Sequence, residues 1–261
     1  MILSGYHLGM RMTKAGALGV GVCAALIAAA APSNAGVASF SESFEGGSVG
    51  SQPTAADTDY DQSVGDRGDG DGTIHVHFVS GGWRGHGAQF ANSPVAAHAF
   101  GFLGKQLGHQ TSVYFRRYYK LAAYPQYRMS VLLYKFGGNG NGQLGGTHNG
   151  SFAFGGTGQS HRFALVNNNT IAATSTATVP LNTWFRVEVH VQFSGGTGTQ
   201  AVRLYLGSDV NGTIPTETIT APLTGDYTDY IEDGILTNPN VSLHYVVDQA
   251  ANRASWPGPV S

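Results

Sequence analysis

The chain has 261 residues, a formal net charge of −2 at pH 7 and only 11% charged residues. Without a basic stripe interleaved with aromatics, that composition argues against nucleic acid as a partner. A single cysteine, Cys23, excludes an internal disulfide framework and a multi-thiolate metal site.

At the N-terminus, Arg11 and Lys14 precede an apolar run from Ala15 to Ala31, followed by Pro32 and Ser33-Asn34-Ala35. A basic lead, an apolar stretch and small residues before a break describe a secretory signal peptide cleaved after Ala35. Met10 or Met12 is a start that gives the more usual short basic lead. A membrane anchor would need a longer apolar run, and no later run approaches that length. Cys23 leaves with this segment. Residues 36–261 are then expected to form one extracellular domain, since no repeat and no linker divides them.

Beyond it, strand-like stretches follow one another: Ser39–Glu45, Ala55–Tyr60, Thr73–Val79, Gly87–Asn92, Ser112–Leu121, Tyr127–Phe136, Phe152–Phe154, Ser160–Val166, Thr170–Val179, Trp184–Phe193, Ala201–Leu206, Glu217–Ala221, Tyr230–Leu236 and Val241–Asp248. Glycine-rich clusters at Gly137–Gly146 and Gly155–Gly158 separate some of them, and Leu103–Gln110 reads as one short helical turn. Many short strands between turn clusters predict an all-β sandwich or barrel.

The clearest stretch is Leu181–Gly207. Phe185, Val187, Val189, Val191 and Phe193 alternate with Trp184, Arg186, Glu188, His190 and Gln192. Successive residues of a strand face opposite ways, so one face is buried and the other polar. After Ser194-Gly195-Gly196, the residues Val202, Leu204 and Leu206 alternate with Arg203 and Tyr205, which completes a β-hairpin.

SESFEGG near the start, TWFRVEVHV with its GGTG turn and RLYLG, and a final strand followed closely by a tryptophan resemble the concanavalin A-like lectin/glucanase superfamily. They resemble most its laminin-G-like jelly-roll branch in secreted bacterial proteins. YFRRYYKLAAYP fits a central strand and its exit turn. The resemblance implies an antiparallel two-sheet jelly-roll β-sandwich, with one concave sheet, spanning nearly all of Val37–Pro259. It also implies paired aspartates on the last strand; here Asp248 follows Val247, so only one is kept.

Glycosidases on this fold carry two carboxylates on one strand face to flank the scissile bond. The five glutamates after residue 35 are Glu42, Glu45, Glu188, Glu217 and Glu232, and none has a carboxylate two residues on. Hydrolysis is therefore disfavoured. The remaining polar set is Tyr114, Arg116, Tyr118, Arg128, Tyr134, Trp184, Arg186, His190, Arg203 and Tyr205. If their strands are neighbours, these residues make a groove in which aromatics stack on sugar rings and arginines fork onto carboxylates or sulfates. An ordinary polar sheet surface gives the same pattern. The first reading is thus a lectin-like module that binds extracellular glycan without catalysis. The second is a polysaccharide lyase, which the resemblance also admits. His190 with Tyr205 or Tyr118 would then remove a proton, and Arg116 or Arg186 would neutralise the uronate. The third is a structural or adhesive surface module.

No cofactor is required by any of these. Asp66, Asp69 and Asp71 in DRGDGDG could supply oxygens to Ca2+, or form a solvated hairpin turn. His75 and His77 share a strand face, but no third zinc ligand accompanies them.

Overall fold

The computed structural model describes residues 39–68, 74–92, 99–136, 147–155, 161–237 and 244–260. The segment up to Ala35 that is expected to be a signal peptide, Asp69 and Asp71 lie outside the described residues, as do the side chains of Asp66 and His75.

Fifteen strands are described, and they form two antiparallel sheets. Sheet one runs β13 (Glu217–Thr224), β12 (Thr197–Tyr205), β11 (Phe185–Ser194), β6 (Ser112–Ala123), β15 (His244–Arg253), β4 (Gly87–Asn92) and β3 (Ile74–Val79). A short β1 (Phe40–Glu42) pairs with the far half of β15. Sheet two runs β10 (Thr170–Thr178), β9 (Arg162–Asn167), β8 (Thr147–Phe154), β7 (Met129–Phe136), β14 (Thr228–Thr237), β5 (Ala99–Gln110) and β2 (Gln62–Gly68). The architecture is an all-β sandwich of jelly-roll type, and its one described helical element is a 3₁₀ turn at Gly207–Asn211.

The hairpin β11–β12 follows the alternation. Phe185, Val187, Val189, Val191 and Phe193 are all buried against sheet two, and each such side chain contributes about 1.5–3 kcal/mol on burial. Pairing runs as far as Ser194 opposite Thr197, so the loop is Gly195-Gly196, with φ of 59° and 82°. A two-residue hairpin of this kind needs positive φ at both positions, which glycine adopts freely. Asn168 and Asn169 make the same kind of turn between β9 and β10. Between the sheets, Tyr119, Phe152, Phe154, Phe163, Phe185 and Tyr245 form a cluster of edge-on and stacked rings.

Leu103–Gln110 belongs to strand β5, not to a helical turn. Leu103 and Leu107 are both core residues, and a spacing of four puts two side chains on one face of a strand as well as of a helix. Ala55–Tyr60 is a series of turns, not a strand: the Thr54 hydroxyl donates to Asp57 and the Asp57 amide donates back to Thr54.

A buried ion pair crosses the core. Arg117 on β6 and Asp233 on β14 are fully buried and joined at 2.8 Å. Arg117 also donates to the carbonyls of Arg116 and Ala251, while the Tyr60 hydroxyl donates to Asp233 at 2.7 Å. Burial is the largest single influence and opposes the Arg117 charge, but the Asp233 carboxylate together with Tyr60 and Tyr119 holds the guanidinium pKa above its ordinary value. Removing one partner leaves the other charge buried alone, at a cost of about 3–5 kcal/mol. Arg117→Met is therefore expected to lower the unfolding free energy in urea by that amount. Asp233→Leu added to it should recover part of the loss; equal stability of Arg117→Met and the wild type would contradict the assignment.

Candidate functional site

The outward face of sheet one collects most of the predicted groove. β11 lies between β6 and β12, with Arg186 opposite Tyr118 and Tyr205, Glu188 opposite Arg116 and Arg203, and His190 opposite Tyr114. On β6 the outward residues are Tyr114, Arg116 and Tyr118, because Arg117 and Tyr119 point into the core. Trp184 is half-buried at the entrance to β11 and meets the Trp83 ring edge-on at 6.3 Å; Trp83 itself stacks on Tyr118 at 5.2 Å.

Much of this face is already occupied by the chain itself. Arg186 donates to the carbonyl of Val210 in the 3₁₀ turn and to that of Gly212 just after it, pairs with Glu188 at 3.3 Å and lies 3.7 Å over the Tyr205 ring. The Tyr205 hydroxyl donates to Glu188 at 3.1 Å, and burial together with that carboxylate raises its pKa. Arg116 donates to the carbonyls of Gln249 and Gly258. Arg116, Tyr118, Arg186, Glu188 and Tyr205 are consequently buried. Tyr114, Trp184, His190 and Arg203 remain partly open.

His190 stacks on Tyr114 at 3.9 Å, with Nε2 3.0 Å from the Ser112 hydroxyl. Burial, and then the Arg203 charge, lower its pKa. Tyr118 and Tyr205 both pair with position 186, four residues along β11. At about 3.3 Å per residue the separation is roughly 13 Å. His190 and either tyrosine therefore do not converge on one substrate carbon, and Tyr114 is the tyrosine beside the histidine.

Two predicted residues lie elsewhere. A register shift on β7 between Ser130 and Leu132 adds a residue, so Val131 and Leu132 are both core residues and the alternation changes phase there. Tyr134 consequently points inward, buried, and its hydroxyl donates to Gln200 of β12. It is a core residue, not a groove residue. Arg128, just before β7, lies on sheet two, away from the other predicted residues.

There it lines a cavity of about 200 Å³ with Met129, Ser130, Leu133, His148, Gly150, Ser151, Val166 and Asn169. Ser130 and Ser151 share a hydrogen bond of 2.6 Å between hydroxyls. His148 is held below its ordinary pKa by burial and by the Lys135 charge, and a side-chain hydrogen bond to Asn169 opposes this. Lys135 pairs with Glu232 at 2.5 Å, both buried. Burial raises the Glu232 pKa against the lowering effect of Lys135. Among the described residues, Arg128 has neither an ion-pair partner nor a hydrogen bond, and burial alone lowers its pKa. His148 was not legible as a site residue because it follows the Gly137–Gly146 cluster, which reads as a turn. Among the described residues no group of three or more His, Asp or Glu is placed to hold a metal ion. No helix there is long and apolar enough to cross a membrane.

No family model matches the sequence, and no curated protein matches it. The fold is similar to that of a cellulose-induced protein, with a TM-score of 0.56 and 15% identity over 85% of this chain and 100% of that one. It is also similar, at a TM-score of 0.48 and 5% identity, to an alginate lyase from Aplysia kurodai over 70% of this chain and 87% of that one. Arcelin-5, a lectin-like defence protein from Phaseolus vulgaris, has a TM-score of 0.39 and 11% identity over 73% of this chain and 97% of that one. At such identities the likeness is one of fold alone, an antiparallel two-sheet β-sandwich.

Asp248 holds the loop that carries Trp83, accepting from the Arg84 amide at 2.8 Å and the Gln249 amide at 2.6 Å. Burial raises its pKa to about 7, against the lowering effect of those amides. A carboxyl whose folded pKa is raised favours the fold while protonated, and that contribution is lost as pH rises from its ordinary value through about 7. Relative to Asp248→Asn, the wild type should lose roughly 1–3 kcal/mol of stability between about pH 4 and pH 8. Urea titrations of both proteins across that range check this; a pH-independent difference would contradict it.

Proposed function

We propose that this protein is a glycan-binding β-sandwich that takes an acidic sugar unit in the cavity on sheet two. One observation carries the reading: Arg128 lines that cavity with no carboxylate partner among the described residues. Arg116, Arg117, Arg186 and Arg203 are each engaged within the protein. A free guanidinium offers a planar fork that matches a carboxylate or sulfate with two hydrogen bonds. Ser130, Ser151, His148 and Asn169 add partners for hydroxyls, and Leu133 and Val166 offer apolar surface to a ring face. The cavity is smaller than the roughly 300–1,000 Å³ of drug-sized ligand sites, which suits one sugar unit of a longer chain. The basic and apolar run before Ala35 supports placing this partner outside the cell.

A second reading, β-elimination on the same acidic polymer, is favoured by His148. Its lowered pKa leaves the imidazole neutral at neutral pH, able to take the C5 proton of a uronate whose carboxylate Arg128 holds. The electron pair would form the C4–C5 double bond as the C4–oxygen bond breaks, and the departing oxygen would take a proton from solvent water.

Calorimetric titration with acidic and neutral oligosaccharides tests the binding reading. Acidic oligosaccharides should bind preferentially, and Arg128→Ala should weaken them by about tenfold or more, the equivalent of 1.4 kcal/mol. Equal affinity for neutral sugars, or an unaffected Arg128→Ala, would contradict it. Ultraviolet absorbance of an unsaturated product, formed by the wild type and lost in His148→Ala, would establish the second reading; no product from any uronate polymer would remove it.

A further inference from the structure

The outward face of sheet one carries a segment that belongs to neither sheet. Residues 254–260 follow β15 without regular structure, and no backbone–backbone hydrogen bond is described for them. Side chains hold them instead. Arg116 donates to the Gly258 carbonyl at 3.1 Å, Arg84 donates to the Val260 carbonyl at 3.2 Å, and the Val260 amide donates to the Tyr118 hydroxyl at 3.2 Å. The Trp256 indole lies 3.8 Å from the Arg203 guanidinium and meets Tyr114 and His190 edge-on at 5.0 and 5.9 Å. Residues 256–260 all stay partly exposed.

We propose that this face is a second carbohydrate site, for a neutral oligosaccharide, and that Trp256–Val260 occupy it in the free protein and compete with that ligand. What lies under the segment suits a sugar chain. The stacked Tyr114–His190 pair and the Trp83–Tyr118 pair are two aromatic surfaces along one strand, β6. Between them, Arg116 and the Tyr118 hydroxyl hold groups that sugar hydroxyls could replace one for one. The buried Trp83 Nε1 has no acceptor among the described residues and supplies one more donor. Trp256 lies against the Tyr114 and His190 rings, an aromatic surface that the C–H face of a pyranose would cover in its place. Because side-chain tethers alone hold the segment, lifting it breaks no sheet ladder. The sheet-two cavity is a different set of residues, so the two sites stand or fall separately.

Cellohexaose and maltohexaose serve as neutral probes in calorimetric titrations of the wild type, Trp256→Ala, Trp256→Ala/Tyr114→Ala and Trp256→Ala/Arg128→Ala. Trp256→Ala should bind at least one of them about tenfold more tightly than the wild type. The added Tyr114→Ala should abolish that gain, and the added Arg128→Ala should leave it intact. No gain in a Trp256→Ala protein that melts cooperatively overturns the proposal. Hydrogen exchange on the wild type is independent of how that variant folds. The Val260 amide should exchange faster with either hexasaccharide at saturation, and an unchanged rate with both would overturn the competition.

Discussion

Arg117 and Asp233 set the geometry on which both faces of the sandwich depend. β6 and β14 lie in the middle of their sheets, and the ion pair ties them through the core with both side chains fully buried. A charge placed there is tolerated only with its partner and further hydrogen bonds, which Tyr60 and the Arg116 and Ala251 carbonyls provide. Because Arg117 must point inward, Tyr114, Arg116 and Tyr118 must point outward, since a slip of one residue would exchange the faces. On β14 the same constraint turns Glu232 to the outside, where it meets Lys135 beside the cavity.

The two outward faces use their polar residues differently. On sheet one, long charged side chains are paired with each other and with carbonyls of the 3₁₀ segment and of residues 249–258, so most of them are buried. Their electrostatic potential is spent within the protein, and what remains open is mainly aromatic. On sheet two, Ser130 and Ser151 satisfy each other, Lys135 is neutralised by Glu232, and Arg128 is left over. An uncommitted guanidinium in a concavity attracts an anion more effectively than a larger number of paired ones.

The fold was legible because its strongest signals are local. In β11 the apolar period of two and the Gly195-Gly196 turn agree, and the structure follows both. The site was less legible, for physical reasons that can be named. On β6 both faces carry arginine and aromatics, and only Asp233, far along the chain, decides between them. Tyr134 shares a simple alternation with Arg128 until the bulge at Val131–Leu132 reverses it, and a bulge leaves no mark in the pattern of residue types. His148 became visible only when Thr147–Phe154 proved to be one long strand paired with β7. The residues chosen from the hairpin do share a face, but their burial depends on how the 3₁₀ turn and residues 256–260 lie across them.

The central functional claim is that an acidic sugar seats beside Arg128 on sheet two. Chemical-shift mapping by NMR with an acidic trisaccharide tests it most directly. Perturbations are expected to centre on Arg128, Ser130, His148, Ser151 and Asn169. Perturbations confined to Trp83, Trp184 and His190 on sheet one would contradict it.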